Sequence, residues 1–254
     1  MDDRARPALA PGVRVVRLGN HLLQVGLEHG RAVRLPRTPT NDRALRALAT
    51  GEAPPPDATG LLEELVERGL AVTGPSPGAT VAVLGDPPAD PAPLLAAAGL
   101  GCTTRLSGAD LVLLASTGEL DRDLVAPLAR TGQAHLPVRL VDGLAIVGPF
   151  SVPGRSACLR CVDLHRAAED TAHLLLVERY VRAAGGPADL VLGNLALAWA
   201  IGDLATFAAG GCPSSWSRTV RIDPARGEVT ARPWWRHPEC GCTWGEAPSA
   251  TMEA

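Results

Sequence analysis

The chain has 254 residues, 46% of them hydrophobic and 3% aromatic, and a formal net charge of −3 at pH 7. This is enough chain and apolar content for one large or two smaller domains, and a charge near zero gives no general attraction for nucleic acid or an anionic membrane. All 24 basic side chains are arginine, which excludes mechanisms that need a lysine, such as Schiff-base chemistry or the phosphate-binding lysine of a P-loop.

The N-terminal run, Met1 to Gly12, carries no apolar core typical of a secretion signal. We therefore expect a cytoplasmic protein, whose thiols stay reduced and free for metal.

The first part of the chain alternates apolar and polar residues between short turn signals. Three short strands joined by hairpins are predicted, at Val13 to Leu18, His21 to Leu27 and Arg31 to Leu35. Thr40 or Asn41 is expected to cap one helix, and Asp57 or Thr59 to begin a second that ends at Gly69. Residues 1–73 thus predict a winged-helix-like α+β module, and residues 74–79, rich in proline and glycine, a linker.

Residues 80–242 are predicted to form an α/β domain, beginning with a strand at Thr80 to Gly85. Further predicted elements are a helix at Leu94 to Ala98, a strand at Asp110 to Ala115, a helix at Asp121 to Arg130, and strands at Pro137 to Leu140 and Leu144 to Val147. This alternation is typical of a parallel-rich sheet flanked by helices.

The turn after the first of these strands, Asp86 to Pro91, holds acids and prolines where a dinucleotide fold has G-x-G-x-x-G. Such a turn cannot offer a row of backbone N–H groups to phosphate. We therefore expect no ATP site.

The last third is predicted to contain a helix at Val162 to Ala168, a long apolar helix at Asp189 to Ala209, and a hairpin of Val220 to Ile222 with Glu228 to Ala231. Asp203 and Gly202 interrupt the apolar helix, so a buried core helix is favoured over a membrane span. Residues 243–254 are expected to form a loose tail.

Four cysteines form two close pairs, Cys158 with Cys161 and Cys240 with Cys242, and 78 residues lie between the pairs. Zinc takes four thiolates tetrahedrally, and four cysteines leave no position for a catalytic water. The pattern predicts a structural zinc site that joins two distant segments. A disulfide or a redox C-x-x-C remains an alternative, and His237 could replace one sulfur.

Three further observations concern residues outside this set. Cys102 and Cys212 are expected to be small buried hydrophobes. Asp163 and His165 could be read as an acid/base pair, but at helical i, i+2 spacing they point to different faces. A structural role is preferred, with His165 or Arg166 supporting the metal loop.

Two blocks resemble a known family. One runs over residues 136–166 and includes Gly148-Pro149, Pro153-Gly154 and Cys158-Leu159-Arg160-Cys161; the other is residues 234–242, ending in His237-Pro238-Glu239-Cys240-Gly241-Cys242. They resemble the ThiF-like partner proteins of thiazole/oxazole-modified peptide (bacteriocin-type RiPP) biosynthesis, which bind leader peptides for YcaO-type cyclodehydratases. The start, Pro11 to Arg17 with Leu23 to Leu27, is similar to that family's winged-helix recognition element.

The resemblance implies a non-catalytic scaffold with a structural zinc and a reduced ThiF-like, Rossmann-type domain. Its partners would be a precursor leader peptide, a YcaO-type cyclodehydratase and a second copy of the chain, with no nucleic acid and no membrane. In that family the leader adds a strand to the edge of the three-stranded sheet and packs on the third helix. Carried onto this sequence, the peptide-binding residues are Arg31, Val33, Arg34, Leu35, Leu62 and Val66.

Three other functions remain open. The parent fold can adenylate a C-terminal carboxylate, which needs a phosphate-binding loop. A winged helix can also read DNA, yet Glu63, Glu64 and Glu67 on the second helix would repel phosphate. The chain could also be an inactive remnant of the family.

Overall fold

The computed structural model describes residues 7–73, 78–183 and 187–243. It divides into two units, Met1–Ser76 and Pro77–Ala254. Most of the predicted linker, residues 74–77, and nearly all of the predicted tail, residues 244–254, lie outside the described residues.

The first unit is built on a three-stranded antiparallel sheet. Its strands are β2 (Val15–Leu18), β3 (Leu22–Val25) and β4 (Val33–Pro36), in the order β2-β3-β4. A second antiparallel pair, which the sequence did not predict, joins β1 (Pro7–Leu9) to β5 (Ala71–Thr73). The helices are α1 (Pro39–Thr50) and α2 (Thr59–Glu67), with a 3-10 turn at Pro56–Ala58 between them. Its classification as a winged helix stays a prediction.

The core of the first unit lies between one face of the sheet and the helices. Buried apolar residues of both layers meet there, namely Leu23, Val25, Val33, Leu35, Leu45, Leu48, Leu65, Leu70 and Ala71. Strand β4 shows the responsible pattern, because its residues alternate strictly between buried and exposed.

The first helix begins earlier than expected. Thr38 has an extended backbone, and its side chain accepts a hydrogen bond from the Asn41 N–H at 3.1 Å, so Thr38 is the cap. The prediction of Thr40 or Asn41 was wrong, because Pro39 occupies the first helical position, where its missing N–H costs no hydrogen bond. The predicted end of α2 at Gly69 is confirmed, since Gly69 has φ 65°.

The second unit contains a seven-stranded mixed sheet in the order β12-β11-β10-β9-β8-β6-β7. Its strands are β6 (Thr80–Gly85), β7 (Gly101–Thr103), β8 (Leu111–Ser116), β9 (His135–Val141), β10 (Leu144–Val147), β11 (Arg218–Asp223) and β12 (Glu228–Pro233). The four strands β7, β6, β8 and β9 are parallel, whereas β10, β11 and β12 each run antiparallel to their neighbours. The expected parallel-rich sheet is therefore a mixed one, because short turns reverse the chain between β9 and β10 and between β11 and β12, and the long segment that carries α5, α6 and α7 returns it antiparallel to β10 as β11.

Helices cover both faces of this sheet. They are α3 (Ala92–Ala97), α4 (Arg122–Arg130), α5 (Leu159–Glu169), α6 (His173–Arg182) and α7 (Leu190–Ala208). Helices α3 and α7 pack on one face, and α4 with the start of α5 packs on the other. This three-layer arrangement is an α/β fold.

Helix α7 is the single described helix with the length and apolar composition needed to cross a membrane. Its mean hydropathy is 1.6, and 44% of that window is buried inside the unit, where it contacts β9 and β10. The Asp203 carboxylate is buried at 6% exposure and accepts hydrogen bonds from the backbone and hydroxyl groups of Ser214 and Ser215. The charge in the middle of this helix is thus satisfied inside the protein.

Candidate metal centre and surrounding sites

The four cysteines predicted as ligands come together in one buried group. Cys158 caps α5 and Cys161 lies in its first turn, while Cys240 and Cys242 lie in the loop after β12. All four Sγ atoms lie within 4.8 Å of one another. The chain thus brings together two segments that are distant in sequence.

The sulfur positions fit a tetrahedral metal. The Cys158 Sγ lies 3.7 Å from the Cys161 Sγ and 3.5 Å from the Cys240 Sγ, and the Cys161 Sγ lies 3.6 Å from the Cys242 Sγ. Zn–S bonds of about 2.3 Å in a tetrahedron separate the sulfurs by about 3.8 Å. These separations are far longer than the roughly 2.0 Å of a disulfide, and none of the four cysteines is in a disulfide.

The thiols also influence one another's protonation. The hydrogen bond with Cys158 lowers the pKa of the Cys161 thiol, and interactions with Cys158 and Cys242 lower the pKa of Cys240 to about 7, whereas the same mutual hydrogen bonds raise the pKa of the Cys158 and Cys242 thiols. Thiolates are the form that binds zinc. The closeness of the four sulfurs lets this group hold a metal such as zinc.

An aromatic side chain packs beside the cysteines. Trp234 packs against them with its ring buried at 4% exposure, and the Arg232 guanidinium lies 4.1 Å from its centroid. The His165 Nε2 lies 3.0 Å from the Trp235 carbonyl oxygen, so that nitrogen donates the hydrogen bond. The His237 carbonyl accepts from the Cys240 N–H at 2.9 Å, so this histidine shapes the metal loop through its backbone.

Asp163 belongs to a charge network on the other side of α5. Its carboxylate receives two hydrogen bonds from Arg122, and His173 Nε2 lies 3.2 Å away. Glu119 bridges Arg122 and Arg139 at 2.7 and 2.8 Å. Asp163 and His165 thus have different partners and do not contact each other as an acid/base pair, and their structural role stays a prediction.

The other two cysteines are both exposed. The expectation that Cys102 and Cys212 are buried was wrong. Cys102 lies on β7, at the edge of the sheet, and Cys212 follows α7.

The predicted peptide-binding residues occupy different environments. Val33 and Leu35 are buried under the helices, at 5% and 7% exposure, so only their backbone could meet a peptide. Arg31 donates to the carbonyl oxygens of Arg68 and Gly69 at 2.9 and 2.6 Å, which closes the end of α2. Arg34 donates to the Gln24 side chain at 2.9 Å.

The two residues on α2 complete this set. Val66 is exposed at 38%, and Leu62 is partly buried against the core. The strand β4 and helix α2 thus present Arg34 and Val66 to solvent.

A cavity of about 780 Å³ lies at the carboxyl ends of β8 and β9, and sequence reasoning did not find it. Its polar lining includes Thr117, Glu119, Asp142, Tyr180 and Asp189. Open α/β sheets bind ligands at the carboxyl ends of their parallel strands. This rule was the signal in the sequence that could have predicted the cavity.

The turn after β6 differs from a phosphate-binding loop. The Asp86 N–H donates to the Ala115 carbonyl oxygen at 2.8 Å, and its carboxylate accepts from Thr117 at 2.9 Å. The first N–H after the strand is therefore already used within the sheet.

Comparison with known proteins gives structural neighbours only. No family model matches the sequence, and no curated protein does. The structure of the heterocyclase TruD matches at a TM-score of 0.60 and 18% identity, over 94% of this chain and 42% of that one. A heterocyclase in complex with substrate and cofactor matches at 0.58 and 15%, over 93% and 39%. E. coli MccB with SeMet MccA matches at 0.58 and 14%, over 93% and 99%. The chain spans less than half the length of both heterocyclases and nearly all of MccB, and it has the α/β fold that they share.

Proposed function

We propose that this protein is a non-catalytic scaffold that binds the leader of a ribosomally made precursor peptide and presents it to a YcaO-type cyclodehydratase for azoline formation. The observation that carries the proposal is the fold shared with heterocyclase TruD over 94% of this chain. Capturing the leader beside a separate active site would raise the effective concentration of the core peptide there. The protein would act in the cytoplasm, as a homodimer.

The proposed leader site is the edge of β4 beside α2. In the described sheet β4 pairs with β3 alone, so its other edge can accept an added strand where its backbone groups remain unbonded. The Arg34 guanidinium would meet leader carboxylates, and Val66 with Leu62 would contact apolar leader side chains. Val33 and Leu35 position the strand from the core, and Arg31 fixes α2 beside it.

The cysteine group would serve this scaffold by stabilising it. Zinc held by four sulfurs supplies no reactive position, because its coordination shell is closed. A bound zinc would instead link the start of α5 to the loop after β12, so that the two segments keep one geometry for the partner enzyme.

A titration with a fluorescent leader peptide from the neighbouring precursor gene tests the proposal. Micromolar or tighter binding is expected, together with a loss of about tenfold in Val66→Glu, which places a charge against apolar leader side chains. Arg43→Gln, on an exposed part of α1, is the matched control and should bind as the parent does. Absence of leader binding by well-folded protein would overturn the proposal.

One specific observation favours a second candidate, an adenylyltransferase. The 780 Å³ cavity lies where α/β folds bind ligands, and one MccB neighbour is a complex with ATP, matched over 99% of that chain. Against it stand carboxylates in the lining, which repel polyphosphate, and a chain without lysine. Isothermal titration with ATP and Mg²⁺ decides between the two, because binding would support the enzyme, whereas no binding would support the scaffold.

A further inference from the structure

The opposite edge of the N-terminal sheet carries a groove that neither the resemblance nor the proposed function uses. This groove, of about 470 Å³, lies between β2 and α1. Its apolar lining comes from Leu9, Val13, Val15, Leu23 and Leu45. Both of its walls belong to the first unit.

Three arginines line the same groove: Arg14 and Arg17 on the strand side, and Arg46 on α1. All three are exposed, and within the described part of the chain none is in an ion pair. The acid among the lining residues, Asp42, is engaged by Arg37 at 3.1 Å. The groove therefore combines an apolar floor with uncompensated positive charge.

The backbone of β2 adds hydrogen-bonding capacity to this groove. The Gly26 N–H donates to the Arg14 carbonyl oxygen at 3.0 Å. Opposed residues in an antiparallel ladder alternate between bonded and non-bonded pairs, so Val16 also bonds to β3, and Val15 and Arg17 direct their backbone groups to the open edge. Strand β2 pairs only with β3 in the described sheet.

The β4 edge offers fewer free groups. The Ala32 N–H donates to the Glu28 carbonyl oxygen at 2.8 Å. Pro36 has no N–H, and its carbonyl accepts from the Asn41 side chain at 2.8 Å. Of the two edges, β2 is the one better able to accept an added strand.

From these observations we propose that the β2–α1 groove binds an extended peptide segment that alternates aliphatic and acidic side chains. The segment adds a strand to Val15 and Arg17, its aliphatic residues cover the apolar floor, and its carboxylates pair with Arg14, Arg17 and Arg46. This site is separate from the leader site proposed on β4 and α2.

Charge argues against two other occupants. A second copy pairing edge to edge through β2 would bring Arg14 and Arg17 close to the same arginines, and like charges across a strand pair are destabilising. Nucleic acid would leave the apolar floor without a partner, whereas aliphatic side chains cover it.

The probe for this groove is a fluorescein-labelled ten-residue peptide of alternating glutamate and valine, followed by fluorescence anisotropy with the full chain. We expect binding in the micromolar range that weakens as NaCl is raised. A peptide of alternating lysine and valine should not bind. Equal affinity for both peptides would overturn the proposal.

Two variants test the named contacts. Arg46→Gln should weaken binding of the acidic probe about three- to tenfold, whereas Arg43→Gln, the same change on the same helix outside the groove, should leave it unchanged. Val15→Pro removes an N–H from the open edge, where proline is tolerated, and should weaken binding at least tenfold with unchanged circular dichroism. Parent-like affinity in Arg46→Gln would contradict the proposal even if Val15→Pro fails to fold.

Competition separates the groove from the leader site. Unlabelled leader peptide should not displace the acidic probe, and Val66→Glu should bind the probe normally. Displacement by the leader would show one shared site and overturn the separate groove. Tighter binding of a 20-base-pair DNA duplex than of the probe, or a doubled mass that Arg17→Gln abolishes, would assign the groove to DNA or to a second copy.

Discussion

Arg122 and Asp163 form a two-pronged ion pair that joins α4 to α5. The Arg122 Nε and Nη2 atoms donate to the two carboxylate oxygens at 2.7 and 2.9 Å. Asp163 follows Cys161 by two residues on α5. The pair therefore fixes the helix that carries half of the metal ligands.

Asp163→Asn should lower the free energy of unfolding of the second unit by about 2–3 kcal/mol, because the largely buried Arg122 then keeps a carboxylate partner, Glu119, that it shares with Arg139. Urea denaturation followed by tryptophan fluorescence measures this, since all five tryptophans lie between residues 199 and 244. Glu178→Gln breaks an exposed pair with Arg182 and should cost at most about 0.5 kcal/mol. Equal costs for the two variants would contradict a buried role for the Asp163 pair.

Glu119 should make the second unit sensitive to acid. Burial raises the pKa of this carboxyl, but Arg139 and Arg122 outweigh it and lower the pKa from 4.5 to about 2. A lowered pKa in the folded state means that the stabilisation is complete above about pH 4.5 and is lost as the pH falls toward 2.

The total contribution of Glu119 is about 3 kcal/mol, at about 1.4 kcal/mol for each unit of pKa difference. Glu119→Gln should lose most of this at pH 7 and should show a flatter fall in stability between pH 4.5 and 2. Denaturant curves at half-unit steps of pH measure both effects. Parallel stability curves for parent and variant over that interval would show that Glu119 contributes nothing to acid sensitivity.

The metal site should govern the stability of the same unit. We expect about one zinc per chain by elemental analysis, and almost none in Cys158→Ser. Because metal binding energy becomes folding energy, a loss of about 4 kcal/mol should lower the Tm by roughly 8–16 °C at this size.

Cys212→Ser is the control for the metal site, since Cys212 is an exposed free thiol outside the group of four. It should retain the zinc and the Tm of the parent protein. A chelator should reproduce the shift in the parent and cause none in Cys158→Ser. Zinc-free parent protein with an unchanged Tm would overturn the structural role of the site.

Sequence patterns predicted the elements with strong local signals. Strand Leu144–Val147 was expected at these bounds, and Asp121, predicted as the start of α4, is its cap. The meeting of the four cysteines in one group was also predicted, because thiolate spacing is itself chemical information, and their role as metal ligands stays a prediction.

Elements that depend on distant partners were missed. Strands β1 and β7 have three residues each. Strand β1 forms by pairing with β5, which is distant in sequence, and β7 forms by pairing with β6, from which helix α3 separates it along the chain. Helix α6 was missed as well: its apolar and polar residues separate onto two faces, but none of its residues is buried. The cavity was missed for the same reason, since it is formed where β8, β9, α6 and the start of α7 meet.

At position 85, the end of β6, glycine should be the one residue that fits without strain. Gly85 has φ 93°, and a Cβ there would lie 2.3 Å from the Ala115 carbonyl oxygen, which also accepts the Asp86 N–H at 2.8 Å. Gly85→Ala therefore combines a left-handed backbone with a clash against a neighbouring strand. Gly132 has φ 72°, and a Cβ there would meet nothing within 4 Å, so Gly132→Ala carries the backbone cost alone, about 1 kcal/mol.

We expect Gly85→Ala to cost about 3 kcal/mol or more, because β6 must move away from β8 and the Asp86 hydrogen bond is lost. Fluorescence-detected urea denaturation of both variants isolates the clash as the difference between them. Equal costs for the two variants would mean that β6 and β8 separate freely at this end. The close packing of these two strands would then not be the reason for a glycine at position 85.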